Sequence, residues 1–335
     1  MLSKPPIDDT SILTALHAEY GLSATELTFL PLGADLNTAV YHVVTQDGAS
    51  LFLKLRKSGF DPITVDVPAY LAGQGFEFVI PPLKARTQGY WAGLDAYRMI
   101  LYPFIVGKDA YELALSDQQW LDFGAALRDI HKTQVPQPLA RRIPRETYSP
   151  RWREAVKKFQ VQIEQTTFEE PTAAKLAAFM KETRHEISRL VERAGKLAHT
   201  LRLRELKFVL CHADIHPGNL LVGADGAFHI VDWDNPILAP KERDLGMIGG
   251  GSVWNSAREI DLFYKGYGPA QVDGEALAYY RYERIVQDIA AFCEQLFLSN
   301  EGGDDREQAY SYFASSFLPG HELDLARQGD EDLPE

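Results

Sequence analysis

The sequence has 335 residues, of which 45% are hydrophobic and 24% charged, so a collagen-like, coiled-coil or wholly disordered chain is excluded. Its 47 acidic residues outnumber its 34 lysines and arginines, which gives a formal net charge of -13. This charge disfavours a nucleic-acid partner and favours a positively charged small molecule. The two cysteines, Cys211 and Cys293, are too few for a disulfide framework.

Neither a membrane segment nor a secretion signal is expected. The first residues, Met-Leu-Ser-Lys-Pro-Pro, lack the apolar core of a signal peptide, and no later run nears the roughly 18 apolar residues of a membrane span. Neither cysteine has a second cysteine at metal-ligand spacing. Two cysteines without a disulfide framework are typical of a protein in a reducing compartment. We therefore expect a cytoplasmic protein, a monomer or weak dimer, with no membrane or nucleic-acid partner.

A β-hairpin is predicted near the beginning of the chain. Two β-rich stretches within residues 38–56 flank the turn signal Asp47-Gly48. In the second stretch, the period of two puts the leucines of 51–55 on one face and Lys54 on the other. On this pattern alone, a strand lysine that extends to solvent is the more common interpretation.

The next segments predict a strand, a connector and then helices. Residues 96–107 begin as a buried-looking strand that Pro103 interrupts, which indicates a lobe boundary. Ser116 and Gln119 form a capping-box signature, and apolar residues then recur at helical spacing to about His131.

The rest of the chain predicts a helical layer, a second hairpin and a tail. Residues 137–207 are rich in charged side chains and suited to helices, and we expect them to form an inserted helical layer. Residues 208–232 return to short apolar runs, two of them separated by Gly-Ala-Asp-Gly, which predicts a hairpin. From Glu322 onward there are six acids and one arginine, so we expect a loose tail.

Polar residues concentrate at the ends of these predicted strands. The run 212–219 carries Asp214 and Asn219, and Asp232 follows the hairpin. Phosphoryl transfer needs a carboxylate facing the acceptor hydroxyl, and an amide oxygen with a second carboxylate to hold magnesium. Asp214, Asn219 and Asp232 fit these three roles. The hairpin can fold Asp232 back beside Asn219.

Other interpretations of these residues remain. Asp, Asn, Pro and Gly are turn formers, so the run is also compatible with an ordinary turn. A metallohydrolase could use His212, Asp214 and His216 as ligands, although Pro217 and Gly218 argue against a continuous strand. A kinase-fold binding module without catalysis is a third alternative, but such a module usually lacks one of the catalytic residues.

The motif His212-x-Asp214-x-x-x-x-Asn219, followed by an apolar run and Asp232, resembles the aminoglycoside phosphotransferase family, a small-molecule branch of the protein-kinase-like fold. The resemblance covers nearly the whole chain in the right order. Three further segments are similar to the spectinomycin phosphotransferase branch of that family: residues 146–154, 238–250 and 279–290.

The resemblance implies an α+β, two-lobed fold. An N-terminal nucleotide-binding lobe with an antiparallel sheet would span residues 1–102. A larger, mostly helical catalytic and substrate-binding lobe would span 103–320, with the helical insertion at about 137–207. The acidic tail would then be residues 321–335.

The resemblance also implies ATP, or GTP, with Mg²⁺. Lys54 would contact the α- and β-phosphates, residues 33–37 would form the turn that covers the phosphates, and the backbone near Tyr102 would meet the base. The implied nucleotide-binding residues are Gly33, Asp35, Asn37, Lys54, Tyr102 and Phe104. Asp66 is the candidate acidic partner of Lys54, although the family usually has Glu there.

The activity implied is transfer of the γ-phosphoryl group to a hydroxyl of a cationic aminoglycoside or aminocyclitol, above all spectinomycin. Asp214 would be the catalytic residue, and Asn219 and Asp232 the metal ligands. Carboxylates and an aromatic wall could hold the ammonium groups of the substrate; the candidates are Asp234, Trp254 and Asp288. The same fold also suits kinases of homoserine, methylthioribose or choline, because a fold does not determine a substrate.

Two further residues in this region receive structural roles. His212 is expected to hydrogen-bond the catalytic loop. Asp244 is expected to cap or anchor a helix.

Overall fold

The computed structural model describes residues 4–33, 37–57, 59–299, 305–331 and 333. The chain divides into two compact units, each built from separate stretches of sequence. The sheet unit comprises the described residues of Met1–Leu115, Pro136–Ile143 and His216–Pro236. The helical unit comprises those of Ser116–Val135, Pro144–Ile215 and Ile237–Glu335. Each unit consists of separate stretches of sequence, so neither has one boundary along the chain that could be compared with residue 102. The lobe boundary at residue 102 therefore stays a prediction.

Among the described residues, helices and strands alternate in the first part of the chain, and most of the later elements are helices. The helices are α1 (Asp9–Ala15), α2 (Ile63–Gly73), α3 (Asp117–Lys132), α4 (Gln137–Ala140), α5 (Arg151–Gln165), α6 (Pro171–Glu182), α7 (Arg184–Arg202), α8 (Glu242–Leu245), α9 (Ala257–Tyr267), α10 (Gly274–Leu298), α11 (Asp305–Ser315) and α12 (Glu322–Gln328). The strands are β1 (Ala24–Leu30), β2 (Thr38–Thr45), β3 (Ser50–Arg56), β4 (Ala92–Leu94), β5 (Tyr97–Pro103), β6 (Gly107–Asp109), β7 (Val209–Cys211), β8 (Leu220–Gly223), β9 (Phe228–Ile230) and β10 (Ile237–Ala239). A π-helical turn, Leu16–Tyr20, follows α1, and a 3₁₀ turn, Pro217–Asn219, precedes β8.

A five-stranded antiparallel sheet, in the order β1-β2-β3-β5-β4, organises the sheet unit. The hairpin predicted over 38–56 is confirmed as β2 and β3. Tyr41, Leu53, Leu55 and Met99 are fully buried on one face of this sheet, in the core of the unit. Lys54 alternates to the other face, as the period of two predicts.

The second predicted hairpin is also confirmed. Strands β8 and β9 pair antiparallel with Leu220 opposite Ile230, and β6 completes a three-stranded sheet. Just beyond the last pair, the N–H of Val231 donates to the carbonyl of Asn219 at 3.0 Å. The two ends of the hairpin are therefore held together where the predicted metal ligands lie.

The helical unit is built around α10, which packs against α5 and α7. The predicted capping box is present at the start of α3: the Ser116 hydroxyl accepts from the Gln119 N–H, and the Gln119 side chain accepts from the Ser116 N–H. The helices predicted within 137–207 are confirmed as α4 to α7. No helix among the described residues is long and apolar enough to cross a membrane.

The expectation of a loose tail from residue 322 is wrong for its described residues. They form α12, in which Leu323 and Ala326 are buried against the core of the helical unit. Asp330 then pairs with Arg193 at 2.5 Å and accepts from the Tyr282 hydroxyl at 3.1 Å. Apolar residues three positions apart supply a buried helix face that the count of charges does not reveal.

Glycines set the contact between α3 and α9. A Cβ atom added at Gly124 would lie 2.1 Å from the carbonyl oxygen of Phe263, and one added at Gly266 would lie 1.9 Å from that of Leu121. These neighbours are backbone atoms, which cannot rotate away. The two helices can therefore approach this closely only with glycine at both positions.

We predict opposite stability effects for two helical glycines. Gly124→Ala should lower the free energy of unfolding by about 1–3 kcal/mol, because the methyl group overpacks the α3–α9 contact. Gly195→Ala on α7 is the control, since a Cβ there meets nothing within 4 Å. It should raise stability by up to about 1 kcal/mol through helix propensity. Urea unfolding followed by circular dichroism measures both values, and equal effects of the two substitutions would contradict the close helix contact.

Candidate active site

Four charged side chains of the sheet unit form what we call the charge cluster: Lys54, Arg56, Asp232 and Asp234. The Lys54 ammonium on β3 lies 2.6 Å from Asp232 Oδ1 and 2.8 Å from Asp234 Oδ2. Arg56, two residues further on the same face of β3, lies 2.5 Å from Asp234 Oδ2. Within the charge cluster, two cations lie beside two anions. Such pairing offsets the cost of removing these charges from water.

Burial and charge act in opposite directions on Lys54, which is only 9% exposed. Burial alone would lower the pKa of its ammonium, but the carboxylates of Asp232 and Asp234 raise that pKa above the ordinary lysine value. Lys54 is therefore a fixed cation. The interpretation of a strand lysine that extends to solvent does not hold.

Asp66 is not the partner of Lys54, so the expectation from the sequence is wrong here. Its carboxylate pairs with Arg142 at 2.7 Å. The acids that do pair with Lys54 follow strand β9, 178 and 180 residues further along the chain. Local sequence next to Lys54 therefore could not identify them.

Asn219 and Asp232 lie at the same end of the β8–β9 hairpin. The 3₁₀ turn ending at Asn219 is closed by the Asn219 N–H, which donates to the His216 carbonyl at 2.9 Å. Asp232 has a φ of 64°, in the left-handed region that residues other than glycine rarely adopt. Such strain persists only where surrounding contacts hold it, and it is common at functional sites.

These residues offer donors suited to Mg²⁺. Carboxylate and amide oxygens are the hard ligands that this ion prefers. The Asp232 side chain is 43% exposed although it pairs with Lys54, so a ligand can reach it. The donor set therefore fits a magnesium ion carried with a nucleotide.

The other predicted nucleotide residues are distributed over the sheet unit. Gly33 has a φ of 84°, a conformation that favours glycine, and the Asn37 carbonyl accepts from the Lys57 N–H at 2.9 Å. Tyr102 pairs with Phe52 at the end of β5, and the Phe104 N–H donates to the Ser50 carbonyl at 3.0 Å. Asp35 lies outside the described residues.

In the helical unit, a buried aspartate anchors the segment that leads to Asp214. Asp244 accepts from the backbone N–H groups of His212 at 2.9 Å and Ala213 at 2.7 Å, and contacts His131 Nε2 at 3.0 Å. Burial alone would raise the pKa of Asp244, but the hydrogen bonds from His131 and Ala213 lower it. Ala213 has a φ of 69°, so these bonds hold a strained residue directly before Asp214.

The Asp214 side chain is part of a second ion-pair group. Its Oδ1 lies 2.5 Å from Nη1 of Arg284 on α10, and Nε of the same arginine lies 3.1 Å from Asp288 Oδ2. The N–H of Asp214 donates to His212 Nδ1 at 3.3 Å, in keeping with the structural role expected of His212. The structure thus brings Asp214 and Asp288 onto one guanidinium.

Two other predicted substrate residues are engaged in packing or ion pairs. Trp254 is 4% exposed, and its ring lies 5.4 Å from the rings of both Trp120 and Phe123. Asp234 belongs to the charge cluster. Of the three candidates, Asp288 has the most accessible carboxylate, with 40% of its side chain exposed. Their roles in substrate binding stay predictions.

Among the described residues, the alternative metal site of His212, Asp214 and His216 lacks metal-ligand spacing. The ring nitrogen Nδ1 of His216 accepts from the Gly218 N–H at 3.1 Å, within the 3₁₀ turn. In the described part of the chain, the cluster with metal-ligand spacing is instead His131, Cys211 and Asp244, all buried. His131 and Asp244 are already hydrogen-bonded there, as in a satisfied buried network.

Arg56 and Arg284 contribute to these groups, but the sequence reasoning missed them. A signal existed for each. Arg56 shares the face of Lys54 through the period of two. Arg284 stands four residues before Asp288, the spacing of an ion pair on a helix.

Comparison with known proteins identifies the family of the chain. The model of the phosphotransferase enzyme family matches residues 28–282. A crystal structure of a spectinomycin phosphotransferase in complex with ADP and spectinomycin is 36% identical, with 98% of this chain and 100% of that chain covered and a TM-score of 0.90. The AMP-bound complex of spectinomycin phosphotransferase is also 36% identical, with 96% and 99% covered and a TM-score of 0.85.

An amicoumacin kinase in complex with AMP-PNP, Ca²⁺ and Ami is 16% identical, with 96% of this chain and 97% of that chain covered and a TM-score of 0.60; this likeness shows the fold alone. No curated protein sequence matches the chain. The α+β, protein-kinase-like fold and the resemblance inferred from the sequence are both confirmed. The chain belongs to the phosphotransferase enzyme family and is a small-molecule phosphotransferase.

Proposed function

We propose that this protein transfers the γ-phosphoryl group of ATP, with GTP as an alternative donor, to a hydroxyl of an aminocyclitol antibiotic, spectinomycin above all. The observation that carries the proposal is the charge cluster, in which the Lys54 ammonium is held by two carboxylates beside Asn219. The near full-length similarity to a spectinomycin phosphotransferase supports the choice of acceptor.

In the sheet unit, the nucleotide-binding groups are the charge cluster and the end of the β8–β9 hairpin. Lys54 offsets negative charge on the α- and β-phosphates, because its raised pKa keeps it cationic. Asn219 and Asp232 hold the magnesium ion. When bound, that ion neutralises charge on the phosphates as the phosphoryl group is transferred.

In the helical unit, the acceptor-binding groups are centred on Asp214. Its carboxylate orients the acceptor hydroxyl and takes the hydroxyl proton, while the hydroxyl oxygen bonds to the γ-phosphorus and the bond to the ADP oxygen breaks. The transition state of phosphoryl transfer is loose, so the proton is taken late and position matters more than basicity. The anchoring of His212 and Ala213 by Asp244 supports such a fixed position.

The charge of the acceptor follows from the acids of the helical unit. Asp214 and Asp288 are two carboxylates that contact one guanidinium, that of Arg284. The whole chain carries a formal net charge of -13. Both favour an acceptor with an ammonium group, and Asp288 is the carboxylate that contacts it.

The role of Asp214 predicts a loss of turnover without a loss of nucleotide affinity. Asp214→Asn should lower kcat by at least about 100-fold, because the amide cannot take the proton. The dissociation constant for ADP with magnesium should stay within about twofold, since Asp214 has no role in holding the nucleotide. Steady-state kinetics and calorimetry measure the two quantities.

Asp225→Asn is the control for charge removal. Asp225 accepts from the Ala227 N–H in the β8–β9 turn, a bond that asparagine can also make. This variant should keep normal turnover. Near-normal kcat in Asp214→Asn would remove Asp214 from the mechanism.

The choice of acceptor is tested by a screen with radiolabelled ATP. Spectinomycin should give a kcat/KM at least about 100-fold higher than choline, homoserine or methylthioribose. In Asp288→Asn, the KM for spectinomycin should rise by about fivefold or more, because one ion pair with the ammonium is lost. If one of the three metabolites were the best acceptor, the antibiotic assignment would fail while the assignment as a phosphotransferase would stand.

A further inference from the structure

Arg284 occupies a position that the proposed reaction has not explained. Its guanidinium joins Asp214, 70 residues away in sequence, to Asp288 on its own helix. The three side chains are 24% to 40% exposed, so a ligand can reach them. The contact to Asp214 is short, at 2.5 Å, whereas the contact to Asp288 is longer, at 3.1 Å.

A purely structural role accounts for only part of this arrangement. The pair Arg284–Asp288 has the i,i+4 spacing of an ordinary helix ion pair. Partly exposed pairs of this kind contribute little to stability. The pair with Asp214 is not explained by helix spacing. In this pair Arg284 contacts the carboxylate that directly follows the strained residue Ala213.

Arg284 and the ammonium group of a substrate can both pair with Asp288. Both are cations that bind carboxylates, and Asp288 is the more exposed of the two acids, with 40% of its side chain exposed against 24% for Asp214. Release of Asp288 leaves Arg284 on Asp214, where the guanidinium fixes the orientation of the carboxylate. The carboxylate of Asp288 can then pair with the ammonium group of the acceptor.

We propose that Arg284 is a positioning and specificity-determining residue, which holds Asp214 in place throughout and competes with the acceptor ammonium for Asp288. An acceptor without a cationic group cannot displace the guanidinium from Asp288. The enzyme therefore selects cationic acceptors by exchange of one ion pair for another. This inference rests on the proposed function, and it names the class of acceptor as ammonium-bearing alcohols.

The competition predicts opposite changes in kcat and KM. In Arg284→Gln, kcat should fall by about tenfold or more, because Asp214 loses the group that orients it. The KM for spectinomycin should fall by about threefold or more, because Asp288 no longer has an internal partner. The KM for ATP should be unchanged. A residue that merely stabilises the fold would not separate the two constants in this way.

Two further variants make the result specific. Arg284→Lys retains the positive charge and should recover at least half of the KM change and part of kcat. Arg189→Gln removes an exposed arginine of α7 and should leave both constants unchanged. Thermal unfolding of each variant, followed by circular dichroism, establishes that the proteins are folded.

The outcomes separate this inference from the proposed function. Turnover of spectinomycin by the unaltered enzyme tests the function, and the split between kcat and KM tests Arg284. Unchanged constants in Arg284→Gln, or a rise in KM at constant kcat, would overturn the role of Arg284. If the unaltered enzyme used another cationic alcohol instead, the same split measured with that alcohol would support it. Use of uncharged acceptors alone would refute it.

Discussion

Burial of a lysine ammonium among carboxylates is the interaction on which the sheet unit depends. An unpaired charge in this position would be costly, so Lys54 requires the acids that follow strand β9. Those acids in turn would repel each other without Lys54 and Arg56. The charge cluster therefore links strand β3 to the far end of the β8–β9 hairpin, where Asn219 lies. A phosphotransferase needs a fixed cation and oxygen ligands for its nucleotide, and we propose this cluster for both roles.

A second constraint operates in the helical unit. Asp244 is 1% exposed, and its carboxylate is satisfied by two backbone N–H groups and by His131. These bonds compensate for its burial and hold Ala213 in the left-handed conformation. The same principle thus appears twice in the molecule: a buried charge is paired, and the pairing holds a residue that we propose for the reaction.

Local patterns in the sequence predicted local structure well. The period of two predicted which face of β3 carries Lys54, and the Ser116–Gln119 signature predicted the start of α3. The motif of Asp214, Asn219 and Asp232 was visible because these residues flank one hairpin and its connecting loop. The roles proposed for these three residues stay predictions, because the structure tests their positions and not their chemistry.

Interactions between distant segments were not predictable in the same way. The partners of Lys54 follow it by almost 180 residues, so the nearby Asp66 was the natural but wrong choice. Arg284 was missed because its pairing with Asp214 depends on how α10 packs. The tail was misjudged because its many charges concealed two apolar residues on one helix face. In each case the deciding contact is tertiary.

We propose that Lys54, paired with Asp232 and Asp234, binds the nucleotide. Calorimetric titration of Lys54→Gln and Asp66→Asn with ADP and magnesium measures this role, because both substitutions remove one charge from the sheet unit. Lys54→Gln should weaken nucleotide binding by at least about tenfold, and Asp66→Asn should change it by less than about twofold. Unchanged affinity in a folded Lys54→Gln protein, or a larger loss in Asp66→Asn, would show that Lys54 does not bind the nucleotide.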